Sequence, residues 1–201
     1  MSQENPGTRL EHFPITLLPS VMGLVGLAVV YFKVQHVFHV TAPIGQGILA
    51  LATGWFAFLL AMQALRLARY PAAVRADWQH PIRVNFFPAI SICFLLLAIA
   101  FNETGRTEVA SVLWHIGAPL HLVLLLALMH RWFHTPQMLK TLKPAWFIPV
   151  VGPILVPVAG ASLAHPEFSW FFFATGLVYW IVLLAVLIYR QLFHEAMPIK
   201  L

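Results

Sequence analysis

Ten histidines are the residues of this 201-residue chain best equipped for chemistry. His36 and His39, and again His130 and His134, stand three and four positions apart. At such spacings two imidazoles on one helix face could hold zinc. Histidine clusters also mark metal oxidases of membranes, so a histidine-based membrane metalloenzyme is one reading. His115 and His121 lie six apart inside an apolar stretch, hence on different faces of a helix. An ionisable residue within a membrane is a functional suspect, and interhelical hydrogen bonding is the favoured role for these two. Neither a nucleophile–base constellation nor a phosphate-cradling glycine loop is visible. The sequence therefore reads as that of a non-enzyme, with no catalytic residue, cofactor or metal assigned.

The elements that hold these residues are set by composition. Hydrophobic residues make up 60% of the chain and charged residues 9%, against about 25% charged in a soluble domain. Six apolar blocks, each about the length that crosses hydrocarbon, run from Phe13 to Phe32, Ile44 to Ala64, Val84 to Phe101, Val109 to Met129, Ala145 to Ala164 and Phe168 to Tyr189. Lipid offers no hydrogen bonds to a backbone, so the blocks must be helices. The expected fold is all-α: a polytopic membrane bundle, one domain over 1–201, built as three hairpins. The start MSQENPGTRLEHF lacks an A-x-A-like cleavage site, so the first block is expected to be retained. The lone cysteine, Cys93, falls inside a block and permits no intrachain disulfide.

Basic residues give the sidedness. Arg9, Arg66, Arg69, Arg75, Arg83, Arg131, Lys140, Lys143, Arg190 and Lys200 collect at one face; only Lys33 and Arg106 fall at the other. The positive-inside rule puts the first group, and both termini, in the cytoplasm. Arg66 and Arg69 are expected to snorkel from the second helix end. The same topology separates the two histidine pairs by about 30 Å, so they cannot share a metal. The net charge of +5 forms no stripe with interleaved aromatics, so nucleic acid is not an expected partner.

Proline marks alternate blocks. Pro14 and Pro19, Pro88, then Pro149, Pro153 and Pro157 fall in the first, third and fifth, while Pro119 alone falls in the even ones. The hairpins start about 60 to 70 residues apart, a period above that of soluble solenoids. Proline inside a helix costs about 3 kcal/mol and survives in membranes where neighbours or a cavity satisfy the freed carbonyl. Proline-kinked odd helices suit a pathway wall; tight packing is the alternative. No Asp, Glu, Lys or Arg lies near a block centre, so a cation-selective acidic ring or proton relay is excluded. The candidate lining positions are Pro19, Gly23, Pro88, Ser91, Gly152, Pro153 and Pro157, with Arg75 and Arg83 at the cytoplasmic mouth.

Four stretches carry a resemblance: RLEHFPITLLPSVMGLVGLAVVYF, VRADWQHPIRVNFFPAISICFLLLA, VLWHIGAPLHLVLLL and LKPAWFIPVVGPILVPVAGASLA. In this order and spacing the chain resembles the family uniting tellurite-resistance proteins, malic acid (C4-dicarboxylate) transport proteins and plant slow-type anion channels. The resemblance implies ten helices as five hairpins, odd helices around a pore, and a homotrimer with one pore per subunit. It implies transport of an inorganic or small organic anion, as a channel or exporter of the C4-dicarboxylate or tellurite type, in a bacterial cytoplasmic membrane.

The six blocks here correspond to the first three hairpins. The family's gating phenylalanine belongs to a ninth helix and has no counterpart among these residues. The alternative reading is a truncated, non-conducting membrane protein or a helix-packing partner.

Overall fold

A computed structural model describes residues 9–39, 42–136, 139, 142–163 and 165–193. Lys140 and Lys200 lie outside these. Seven α-helices follow in order: α1 (Leu18–Phe38), α2 (Ile44–Arg69), α3 (Pro71–Gln79), α4 (Ala89–Glu103), α5 (Thr107–His134), α6 (Ile148–Gly160) and α7 (Pro166–Phe193). The chain is an all-helical, polytopic membrane bundle. Five segments are long and apolar enough to span: Ile15–Phe38, Ile44–Arg69, Arg83–Glu103, Thr107–His134 and Pro166–Phe193. The sixth, Pro144–Gly160, is shorter, about 25 Å at 1.5 Å per residue. Short α3 occupies what sequence alone reads as a loop. Its first residue is Pro71, whose missing N–H costs nothing at a helix start.

The three odd spans begin alike. Each opens with a 3-10 turn, at Ile15–Leu17, Arg83–Phe86 and Pro144–Phe147. Each then passes into α-helix at a proline: Pro19, Pro88 and Pro149. Prolines at these joins leave few intrahelical bonds unmade, because the first turn of a helix has orphan N–H groups anyway. The expected breaks in the first and third spans thus lie at their starts. Among the described residues, interior prolines occur at Pro153 and Pro157 of α6 and Pro119 of α5.

The α4–α5 turn is tight: Gly105 adopts φ +77°, and Arg106 N–H closes it onto the Phe101 carbonyl at 3.0 Å. A left-handed residue after a helix is the usual place for glycine.

Packing sorts the helices into two rows. Within the hairpins α1 packs on α2, α4 on α5 and α6 on α7. Across them, α4 lies between α1 and α6, and α5 also touches α6. One core joins α1, α2 and α4 through Val21, Val25, Ala52, Phe56, Ala89 and Cys93. A second joins α4, α5, α6 and α7 through Leu95, Trp114, Val156 and Phe172. Of the apolar window in the α4 span 67% is buried, against 11% for α7. So α1, α4 and α6 form an inner arc centred on α4, and α7 presents apolar side chains outward, as lipid or further helices require.

Candidate functional site

His121 is the polar centre of the bundle. It projects from α5 and is fully buried. Its Nδ1 lies 2.8 Å from Ser91 Oγ on α4, and its Nε2 lies 2.9 Å from the Pro149 carbonyl on α6. That carbonyl would normally accept from residue 153, which is proline and has no N–H. The imidazole takes the vacant position: since a carbonyl only accepts, Nε2 carries the proton and donates. The helix break in α6 and the histidine in α5 are two halves of one hydrogen bond. Gly152 makes room, because a Cβ there would overlap the imidazole ring.

A second polar cluster closes the end of the bundle where the odd spans start. Arg66, at the end of α2, is buried and pairs with Asp77 of α3 at 2.7 Å; its Nε donates to the Glu11 carbonyl at 2.9 Å. It is a buried ion pair and does not snorkel as expected, because α3 folds a carboxylate back over the helix end. Arg83 takes the other oxygen of Asp77 at 2.8 Å while staying half exposed. Beside it, His80 Nδ1 accepts from the N–H groups of Ile82 and Arg83, both at 3.2 Å. Its pKa lies below the ordinary 6.5, chiefly through burial, then through the Arg83 guanidinium, with Asp77 opposing.

The same device recurs in all three hairpins. Arg131, at the end of α5, donates to the carbonyls of Trp78 and Gln79 at 2.6 and 2.5 Å. Arg190, at the end of α7, donates to the Leu142 carbonyl. Each outer helix ends in an arginine that grips backbone just before the inner helix of its own hairpin. At the opposite end, Lys33 of α1 pairs with Glu103 of α4 at 2.7 Å, and Asn102 of α4 donates to Ser162 beyond α6 at 2.9 Å. The inner arc is tied by charge and hydrogen bonds at that end and carries no formal charge between.

Comparison with known proteins follows the same lines. The voltage-dependent anion channel family matches residues 12–201. The chain belongs to that family. It is 30% identical over 206 residues to the S-type anion channel SLAH2 of Arabidopsis thaliana, covering 96% of this chain and 38% of the relative. It is 27% identical over 171 residues to a tellurite resistance protein TehA homolog of Haemophilus influenzae, covering 83% of this chain and 51% of the relative. Against the guard cell S-type anion channel SLAC1 of Arabidopsis thaliana it is 23% identical over 202 residues, 96% of this chain and 36% of the relative. The chain thus spans between about a third and a half of the length of these relatives.

For this member of the anion channel family, the candidate lining positions fall in two groups. Pro88, Ser91, Gly152 and Pro153 are buried between helices. Ser91 and Gly152 meet at the His121 ring, and Pro153 packs on Gly176 of α7. Gly23 is exposed with open space around it, and Pro19 and Pro157 are half-buried. Of the two mouth arginines, Arg83 joins the Asp77 cluster and Arg75 is exposed.

Sequence reasoning missed Asp77 and the Arg66 pairing. The spacing of Arg66 and Asp77, across Tyr70-Pro71, held a signal only if α3 was foreseen. The other five histidines singled out in the sequence, His36, His39, His115, His130 and His134, take no part in the His121 site. His130 and His134 stack at 4.1 Å, and His134 Nδ1 bonds the His130 carbonyl. His115 bonds Ser111 of its own helix, so interhelical bonding holds for His121 alone of that pair. Among the described residues no three His, Cys, Asp or Glu side chains come together to hold a metal.

Proposed function

We propose that α1, α4 and α6 form part of the wall of a route for inorganic or small organic anions, of the C4-dicarboxylate or tellurite type, across a bacterial cytoplasmic membrane. The observation that carries this reading is the uncharged inner arc. Three helices stand side by side, charged groups lie only at their ends, and a second row backs them. An apolar route controlled by width and wetting needs that arrangement.

In this reading the basic end, with Arg66, Arg83, Arg131 and Arg190, faces the cytoplasm, in keeping with the positive-inside rule. Gly23, Pro19 and Pro157 are the lining positions whose exposure supports a place on the route. Pro88, Ser91, Gly152 and Pro153 serve it by fixing how closely the inner and outer rows approach. The names of the relatives, two of them S-type anion channels and one a tellurite resistance homolog, agree with anion transport. The ring closes with further hairpins, and the assembly is a homotrimer with one route per subunit.

Chloride and malate efflux from proteoliposomes tests the proposal, using this chain and a chimaera extended by the C-terminal remainder of a relative. Efflux from the chimaera above that of empty liposomes is the expected result. Inert chimaeras that are inserted and trimeric would refute it. They would favour the second reading, a non-conducting packing partner, which the burial of Ser91 and Gly152 against His121 supports.

A further inference from the structure

A groove of about 580 Å3 runs between the outer helices α5 and α7, away from the inner arc and at the end of the bundle poor in basic residues. That volume lies within the range of about 300–1,000 Å3 typical of ligand sites. Its floor is the buried Trp114 with Phe172, and Leu122 and the exposed Pro119 line its α5 side. Phe168 and Phe171 of α7 flank it and are more than half exposed. The polar groups sit together at the rim: His115, His165 and Glu167. The His165 ring stacks on Trp114 at 4.9 Å and stands edge-on to His115 at 5.0 Å. His115 Nδ1 donates to the Ser111 carbonyl at 2.8 Å, which leaves Nε2 as an acceptor for a ligand. Pro119 has no N–H to give the His115 carbonyl, so this acceptor lacks its ordinary helical partner at the groove wall. Glu167 forms no ion pair among the described residues.

We propose that this groove binds a phospholipid with a zwitterionic, primary-amine headgroup. The acyl chain lies along Pro119, Leu122 and the phenylalanines, where lipid is already the solvent. The ammonium meets the Glu167 carboxylate and the freed His115 carbonyl, both acceptors. The phosphate meets an imidazole N–H of His165, while His115 Nε2 adds a third acceptor for the ammonium. Charge complementarity selects this occupant: an anionic headgroup would meet the unpaired Glu167, and a quaternary ammonium has no N–H to donate. Aromatic side chains at a membrane interface are suited to this depth.

The test is native mass spectrometry of the full chain after exchange into bilayers of equimolar phosphatidylethanolamine, phosphatidylcholine and phosphatidylglycerol. Retention of phosphatidylethanolamine at least tenfold above the other two is expected. Glu167→Gln, on an exposed residue that leaves the fold intact, should cut that preference at least fivefold. Leu122→Trp, which fills the groove, should reduce retention of all three lipids. Equal retention of the three, or a preference unchanged in Glu167→Gln, would overturn the proposal. So would efficient cross-linking between copies through Phe168→Cys, which would mean that a second copy covers the groove.

Discussion

The His121 ring occupies the space that a side chain at position 152 would need, so Gly152 and His121 fit as slot and wedge. The wedge is held in place because Pro153 denies the Pro149 carbonyl its helical donor and Nε2 supplies one. Ser91 fixes the other side of the ring. Three helices are thereby keyed at one buried point.

Gly152→Ala should therefore destabilise the bundle by about 1–3 kcal/mol, the range for overpacking a tight core. The loss arises largely from the ring, so the double variant with His121→Ala should lose less than the sum of the two single losses. Denaturant unfolding in detergent micelles measures both.

Glycine substitutions should divide by their surroundings. Gly160 and Gly176 stand against Ser169 with Trp114, and against Pro153 with Ile154, where a new Cβ would come within 2.5 and 2.8 Å of its nearest neighbour. Alanine at either should lower the melting temperature. Gly47 and Gly54 of α2 have nothing within 4 Å. Alanine there should raise stability by about 0.5–1 kcal/mol, since it removes glycine's backbone entropy.

The basic cluster should respond unequally. Arg66 and Asp77 are both nearly inaccessible, whereas Arg83 is 47% exposed. Removing one partner of a buried pair costs about 3–5 kcal/mol, so Arg66→Ala should fall near the lower end, with Arg83 still neutralising Asp77. Arg83→Ala should cost about 1 kcal/mol or less, as exposed pairs do. Thermal melts of the two variants decide the ranking.

Stability should also fall on acidification through His80. Its folded pKa lies below the unfolded 6.5, mainly by burial and secondly by Arg83. The unfolded chain then binds the proton first, so stability rises with pH. The contribution is whole above pH 6.5 and is lost as pH falls towards the folded value. Melts at pH 7.5 and 5 should differ less in His80→Ala than in the parent protein.

Much of the bundle is legible in the sequence because lipid imposes a simple rule: long apolar blocks must be helices. The span from Arg83 to Glu103 lies within two residues of its expected bounds. The extra turns at the ends of α1, α2 and α5 were harder to read, since His36, Arg69 and His134 are polar yet helical. Proline positions were legible, but their consequences were not. Pro19 and Pro88 sit at joins, where a proline breaks nothing, while Pro153 creates an acceptor whose partner is 28 residues away in sequence. Asp77 escaped notice because its partner Arg66 reads equally well as a topology signal. Burial, and not residue type, distinguishes the two roles.

The most direct test of an anion route along the inner arc is thiol labelling from water. Cys93 is buried and should stay silent. Gly23→Cys on α1 should react in the membrane with a charged, water-soluble thiosulfonate, and a permeant anion should slow that reaction. Val182→Cys on the outward face of α7 should remain unlabelled. If the Gly23→Cys thiol were as inert as that at position 182, the inner helices would face lipid or protein, and the transport account would be contradicted.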